Sequence, residues 1–234
     1  MQDELYAYVR KHDYEHYVAA LLTKDAAQRH HVMAVLAFAQ EIKHISHVTR
    51  EPMTAYIRLA WWRERIEDIY NGKEAPEQMT LRALKFFIVE YAPPKEWFLQ
   101  IIESGGALQE GDPLEAHAEI GESVAMLMAW AVQKNIPESA VKKVGRVDGM
   151  LQKLRGARNE LPEHFIENLE NQNRDIKIND LNPCPTLAFI QTLSVIKTKK
   201  YKGLMASHPA QPVAAIKMRF LPLRALMFNL LTLK

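Results

Sequence analysis

The clearest hydrophobic period in the chain runs through residues 56–73, Y-I-R-L-A-W-W-R-E-R-I-E-D-I-Y-N-G-K. Leu59, Trp62, Ile66, Ile69 and Tyr70 recur at spacings of three and four, so they share one stripe of a 3.6-residue helix. Ile57, Trp61, Glu64, Arg65 and Asp68 mark the other side. Asn71-Gly72 stops the helix, because Gly accepts the left-handed conformation that a helix end uses. Pro52, just upstream, suits a first helical turn. The pattern predicts an amphipathic core helix that carries two tryptophans.

The same period repeats along most of the chain. Tyr6, Val9, Tyr14, Tyr17, Val18, Leu21 and Leu22 predict one or two short helices over 2–22. Thr23-Lys24-Asp25 breaks the pattern, with Asp25 as an N-cap. A long helix over 26–48 follows, with Val32, Val35, Leu36, Phe38, Ala39, Ile42 and Ile45 inward. Its other face carries Gln40, Lys43, His44 and His47. Further helices are predicted over 77–91, ended by Pro93-Pro94, and over 96–108, weakened at its end by Ser104-Gly105-Gly106. Asp112-Pro113 opens another to 133, and Pro137 opens one to 154. Residues 158–184 are polar and rich in Asn, and read as loop. Helices over 186–201 and 213–233 close the chain, the second bent at Pro222. With no linker, repeat or low-complexity run, residues 1–234 read as one all-α domain.

Composition narrows this picture. Nine Gly, 48% hydrophobic and 25% charged residues are the values of a soluble globular chain. No apolar run approaches the ~18 residues of a membrane span, and the opening Gln-Asp-Glu is not that of a secretory signal. The single cysteine, Cys184, permits no internal disulfide and fits a reducing compartment. It is flanked by prolines with no evident helix start, so no nucleophilic role is expected of it. The net charge of +2 hides an asymmetry: no acidic residue follows Asp180, whereas eight Lys and Arg do. A basic tail beside an acidic body points to an anionic partner, and an anionic membrane surface is expected rather than nucleic acid. The identity of any protein partner is left open.

Candidate chemistry is sparse. His44 and His47 could ligate a metal if a carboxylate joined them, but Glu41 shares their face poorly and no H-E-x-x-H is present. A solvated or cavity-lining polar face is the plainer expectation. The adjacent His30-His31 point apart on a helix and read as structural. The stretch V-G-R-V-D-G-M-L-Q-K-L-R-G, residues 144–156, carries three glycines that each cost about 1 kcal/mol inside a helix. Close helix packing and room for a ligand both explain them. Neither a phosphate-cradling loop nor a dinucleotide fingerprint is present.

At this level the chain resembles the squalene/phytoene synthase family. W-R-E-R-I-E-D-I-Y-N-G-K at 62–73 is similar to that family's Trp-acid-Arg-Leu-Glu-Asp segment and the aromatic-x-Gly-basic that follows. H-D-Y-E-H-Y-V-A-A-L-L at 12–22, A-V-L-A-F-A-Q-E-I at 34–42 and E-P-M-T-A-Y-I-R-L-A-W-W-R at 51–63 resemble a divergent branch of it. That branch includes a mitochondrial complex I assembly factor and alphaproteobacterial relatives. V-G-R-V-D-G-M-L-Q-K-L-R at 144–155 falls where the family's second motif lies. The resemblance implies an all-α isoprenoid-synthase-like helical bundle around a central cavity. In active members, two Asp-rich motifs hold Mg²⁺, which neutralises the diphosphates of two prenyl substrates as they condense.

The sequence departs from that pattern where it matters. Lys43, His44 and His47 stand at the positions of the first Asp-Asp-x-x-Asp cluster. Gln152, Gly156 and Glu160 stand at those of the second, while Arg155 persists. The resemblance therefore implies a scaffold that keeps the fold without Mg²⁺-dependent condensation, with no catalytic residue, no metal and no cofactor expected. Lys43, His44, His47, Arg58, Gln152 and Arg155 become candidates for a cavity holding a prenyl or lipid anion without metal. The alternative is an active head-to-head prenyl diphosphate transferase with an altered Mg²⁺ site drawn from Glu41, Glu64, Asp68, Asp148 and Glu160. The basic segment, with Lys197, Lys199, Lys200 and Lys202 and then Lys217, Arg219 and Arg224, could lie on an anionic membrane at about 1 kcal/mol per basic residue. The plainer reading is a last core helix with solvated lysines. The expected location is the bacterial cytoplasm or the mitochondrial matrix, peripheral to the inner membrane.

Overall fold

The structure is a computed structural model that describes residues 2–49, 51–111, 113–132, 135–156, 165–181 and 184–207. The chain forms α1 (Gln2–His12), α2 (Tyr14–Ala20), α3 (Ala26–Val48), α4 (Pro52–Tyr70), α5 (Met79–Tyr91) and α6 (Lys95–Gln109). It continues with α7 (Leu114–Ala131), α8 (Glu138–Gly156), α9 (Phe165–Arg174), α10 (Ile178–Leu181) and α11 (Pro185–Ser207). Among the described residues there is no strand. The buried apolar side chains form one cluster reaching from Leu5 to Ile190.

Helix α3 is the axis of the bundle, with α1, α2, α4, α5, α6 and α7 packed around it. Its side chains from Val32 to Ala39 are all buried, as expected of a helix surrounded on every side. Asp25 caps it, accepting from the Gln28 N–H at 2.8 Å. Helix α4 starts with Pro52 in its first turn and ends at Asn71-Gly72, where Gly72 has φ +76°. Leu59, Trp62, Ile66 and Ile69 are buried, whereas Ile57 is 63% and Trp61 39% exposed. Trp62 meets Phe38 of α3 edge-on at 5.3 Å, and Phe38 meets Phe98 of α6 at 5.7 Å.

Helices α7 and α8 form the closest pair, and glycine is the reason. A Cβ on Gly145 would lie 2.3 Å from the Gly121 carbonyl oxygen, and one on Gly149 would lie 2.0 Å from that of His117. The backbones touch, so of the two readings of this glycine-rich stretch the structure selects close packing. Gly105 does the same for α6 against α3, where an added Cβ would meet Ile42 at 2.4 Å. Helix α6 therefore runs past Ser104-Gly105-Gly106 to Gln109.

Two expectations are corrected. The loop expected over 158–184 contains α9 and the short α10. Phe165, Ile166 and Leu169 give α9 a buried stripe, and Asn173 is a buried partner of α11. Its amide donates to Thr198 Oγ1 at 3.0 Å, and its side-chain oxygen accepts from Gln191 at 3.2 Å. Cys184 does precede a helix start, with its carbonyl accepting from the Ala188 N–H of α11. Burial nonetheless pushes its thiol up to about 11, outweighing the backbone N–H groups of Leu187 and Thr186.

The helix expected over 213–233 lies outside the described residues. None of the described helices is long and apolar enough to cross a membrane.

Candidate functional site

The site is built where α2, α3, α8 and α11 converge. Asp13 caps α2, accepting from the His16 backbone N–H at 3.4 Å. The same turn brings His16 Nδ1 to 2.8 Å from Asp13 Oδ1. On the other side of the ring, His16 Nε2 lies 2.9 Å from Asp148 Oδ2 of α8. Gln152, one turn further along α8, donates to Asp148 at 2.7 Å and accepts from the Lys43 ammonium of α3 at 2.5 Å. Gln40, also on α3, donates to Asp13 at 2.7 Å. Beside this chain of contacts, Lys197 of α11 makes a buried ion pair with Glu15 of α2.

The charges balance within the protein. Two carboxylates, Asp13 and Asp148, face an imidazolium and an ammonium. Burial pulls the His16 imidazolium down, but Asp13 and Asp148 outweigh it and hold the ring up at about 10. Burial also works against the Asp148 carboxylate, yet His16 and Lys197 keep it below the usual carboxylate range. Lys43 is lowered by burial, with Asp13 and Asp148 opposing the shift. The cavity among these side chains measures about 20 Å³, with Leu36, Val124, Met128 and Leu187 on its apolar side. That is room for about one water.

This arrangement opposes a divalent cation. A 2+ ion placed ~4 Å from the Lys43 ammonium would meet about 8 kcal/mol of repulsion at an effective dielectric of 20. Its natural ligands, Asp13 and Asp148, are already engaged by His16. Among the described residues no group of three or more His, Cys, Asp or Glu is arranged to hold a metal ion.

The candidate residues read from sequence separate into distinct places. Lys43, Gln152 and Asp148 do converge at the centre. His44 is exposed, with its ring 6.2 Å from that of His12, and Arg58 is exposed on α4, so neither lines the cavity. Glu41 is half-buried and accepts from Gln78 at 3.3 Å, and burial raises its carboxyl. Glu64 pairs with Arg65 at the surface. Asp68 is held by Lys73 at 2.7 Å and Arg65 at 3.0 Å, and the Lys73 hydrogen bond leads in lowering it. These acidic candidates do not gather into one cluster. The side chains of His47 and Arg155, and all of Glu160, lie outside the described residues.

Sequence reasoning missed Asp13, His16 and Gln40. The available signal was H-D-Y-E-H at 12–16, where an Asp cap and a His three residues on fold into one turn. Nothing local says that this His faces an Asp 132 positions away. Within the basic segment, Lys197 is inside the protein and Lys202 is paired with Glu170 at 2.6 Å, while Lys217, Arg219 and Arg224 lie outside the described residues.

Comparison with known proteins places the sequence of the chain among relatives. The family model for squalene/phytoene synthase matches residues 9–144. A Dictyostelium discoideum protein named as a homolog of NADH dehydrogenase (ubiquinone) complex I assembly factor 6 is 28% identical over 154 residues, 62% of this chain and 43% of its own. Complex I assembly factor 6 of Rattus norvegicus is 26% identical and that of Homo sapiens 24%, each over 63% of this chain and 46% of its own. The chain thus spans about half the length of the curated relatives it matches. No solved structure matches. The chain belongs to the squalene/phytoene synthase family.

Proposed function

We propose that the chain is a non-catalytic member of this family that acts as an assembly-type factor for a respiratory complex. The observation that carries the non-catalytic part is the Lys43–Gln152–Asp148–His16–Asp13 chain of contacts. Ionising a prenyl diphosphate requires several carboxylates free to hold Mg²⁺. Here the buried carboxylates are neutralised by the protein's own cations. The altered-site enzyme would have to free Asp68 and Asp148 from the partners that hold them. A central prenyl ligand would also have to displace side chains, because about 20 Å³ accommodates none of it.

The assembly role is supported by the names of the relatives in three organisms. On this reading the protein works in the mitochondrial matrix or bacterial cytoplasm, at the face of the inner membrane. Lys199, exposed on α11, and the basic residues beyond 207 are the groups available to meet anionic lipid.

Incubation with farnesyl or geranylgeranyl diphosphate and Mg²⁺ tests the first part. No C30 or C40 product is expected, and measurable product overturns it. Deleting the gene in its source organism tests the second. Loss of assembled complex I on native gels is expected, and normal levels overturn the assembly reading.

A further inference from the structure

A second opening, larger than the central one, lies away from the centre. A groove of about 600 Å³ lies where the end of α5 and start of α6 meet the end of α7 and start of α8. Tyr91, Trp97, Met126, Trp130, Ile136 and Val141 form most of its wall. Glu138, at its edge, is ten residues before Asp148 on the same helix, about 15 Å away along the axis. The volume lies within the ordinary range for small-molecule sites.

The chemistry of the wall restricts the occupant. The Trp130 indole N–H donates to the Tyr91 carbonyl at 2.8 Å. Burial and then the neighbouring Glu90 raise the Tyr91 hydroxyl above its ordinary range. Glu138 is paired with Lys142 at 2.8 Å. Trp97 and Trp130 meet edge-on at 5.6 Å, giving two walls set nearly at right angles. Asn135 is exposed at the rim. Among the described lining residues the only charged one, Glu138, is paired, and the Trp130 indole N–H is spent within the chain. An extended peptide in the groove would leave its own N–H and C=O groups unpaired, which is costly away from water. An anionic group would find no cation among the described lining residues. A hydrocarbon chain needs neither, and it gains about 0.8 kcal/mol for each CH₂ buried.

We propose that this groove binds the hydrocarbon chain of a single-chain lipid taken from solution, with the polar end left in water. The proposal is independent of the assembly role, since it rests on the groove alone.

Two of the four tryptophans line the groove, which provides the measurement. The probe is monomeric 9,10-dibromostearate, whose bromines quench tryptophan only at contact. Saturable quenching with one site per chain is expected. Trp97→Phe and Trp130→Phe should each reduce the quenched fraction, whereas Trp61→Phe should not. Ala129→Phe and Ile136→Trp, each verified as folded by circular dichroism, should weaken binding at least tenfold by filling the groove. Absence of saturable quenching overturns the proposal, as does unchanged affinity in both filled variants. Quenching that appears only with vesicles of brominated phosphatidylcholine and acts on Trp61 also overturns it, because it places contact at a bilayer surface. Displacement of bound dibromostearate by palmitate supports it. Failure of palmitate to compete, together with displacement by an apolar helical peptide, overturns it in favour of a protein partner.

Discussion

Asp148 shows how a carboxylate suited to a metal can be committed to a different partner. It was a candidate carboxylate for an altered metal site, but it receives a proton-bearing ring and an amide. Asp148→Asn leaves the His16 imidazolium buried with one carboxylate fewer, and breaking a buried pair typically costs about 3 kcal/mol. In a chain of this size that is a fall in Tm on the order of 10 °C, readable by thermal denaturation at pH 6. His16 gives the pH dependence. Its folded value of about 10 lies above the ordinary 6.5, so its stabilisation is complete below pH 6.5 and fades as pH rises toward 10. The lowered Lys43 acts in the opposite sense at high pH, but it is present in wild type and variant alike. The difference in unfolding free energy between wild type and His16→Gln should therefore be largest near pH 6 and shrink steadily toward pH 10. A difference constant over that range would show that the ring is not the charged partner. Lys43 and Gln152 were legible because the resemblance placed them at motif positions, and Asp148 only as one of several spare carboxylates. Asp13 and His16 were not, because their significance depends on a partner that only the tertiary fold supplies.

Among the elements, the local ones were the most legible. The apolar stripe of α4, its Pro52 start and its Gly72 stop follow from spacing and backbone preference, and the structure reproduces each. The α9 segment was illegible because asparagine is a common loop residue, and Asn173 becomes a helix residue only through Thr198 and Gln191 of α11. The glycines of α8 were visible but ambiguous, and their partner Gly121 on α7 attracted no notice alone. Neighbouring glycines can now be told apart. Gly149→Ala drives a Cβ onto a rigid backbone carbonyl at 2.0 Å and should cost about 3 kcal/mol or prevent folding. Gly106→Ala, mid-helix in α6, meets nothing nearer than Tyr56 at 3.7 Å. It should stabilise by up to about 1 kcal/mol, because Ala gives up less backbone freedom in a helix. Urea denaturation of the pair checks both directions. Equal effects would contradict the packing account.

On the scale of the whole molecule, the first helices and the last described one hold each other. Glu15 and Lys197 form a buried pair, and Thr23 of the first connection meets Thr186 of α11 at 2.8 Å. Glu15→Gln leaves the Lys197 ammonium buried without its carboxylate, so α11 should loosen. Limited trypsin digestion should then cut at Lys197–Lys202 faster than in wild type, and an unchanged rate would deny the pair that role. The all-α architecture was legible because helical period is a local property. The closure of the bundle was not, because it joins residues more than 160 positions apart. That closure bears on how the protein is made. A ribosome delivers Asp13, Glu15 and His16 together, but Asp148 follows 132 residues after His16 and Lys197 182 residues after Glu15. Until then the apolar surface that α8 and α11 cover stays open, so the bundle can close only after a long stretch of chain has been made.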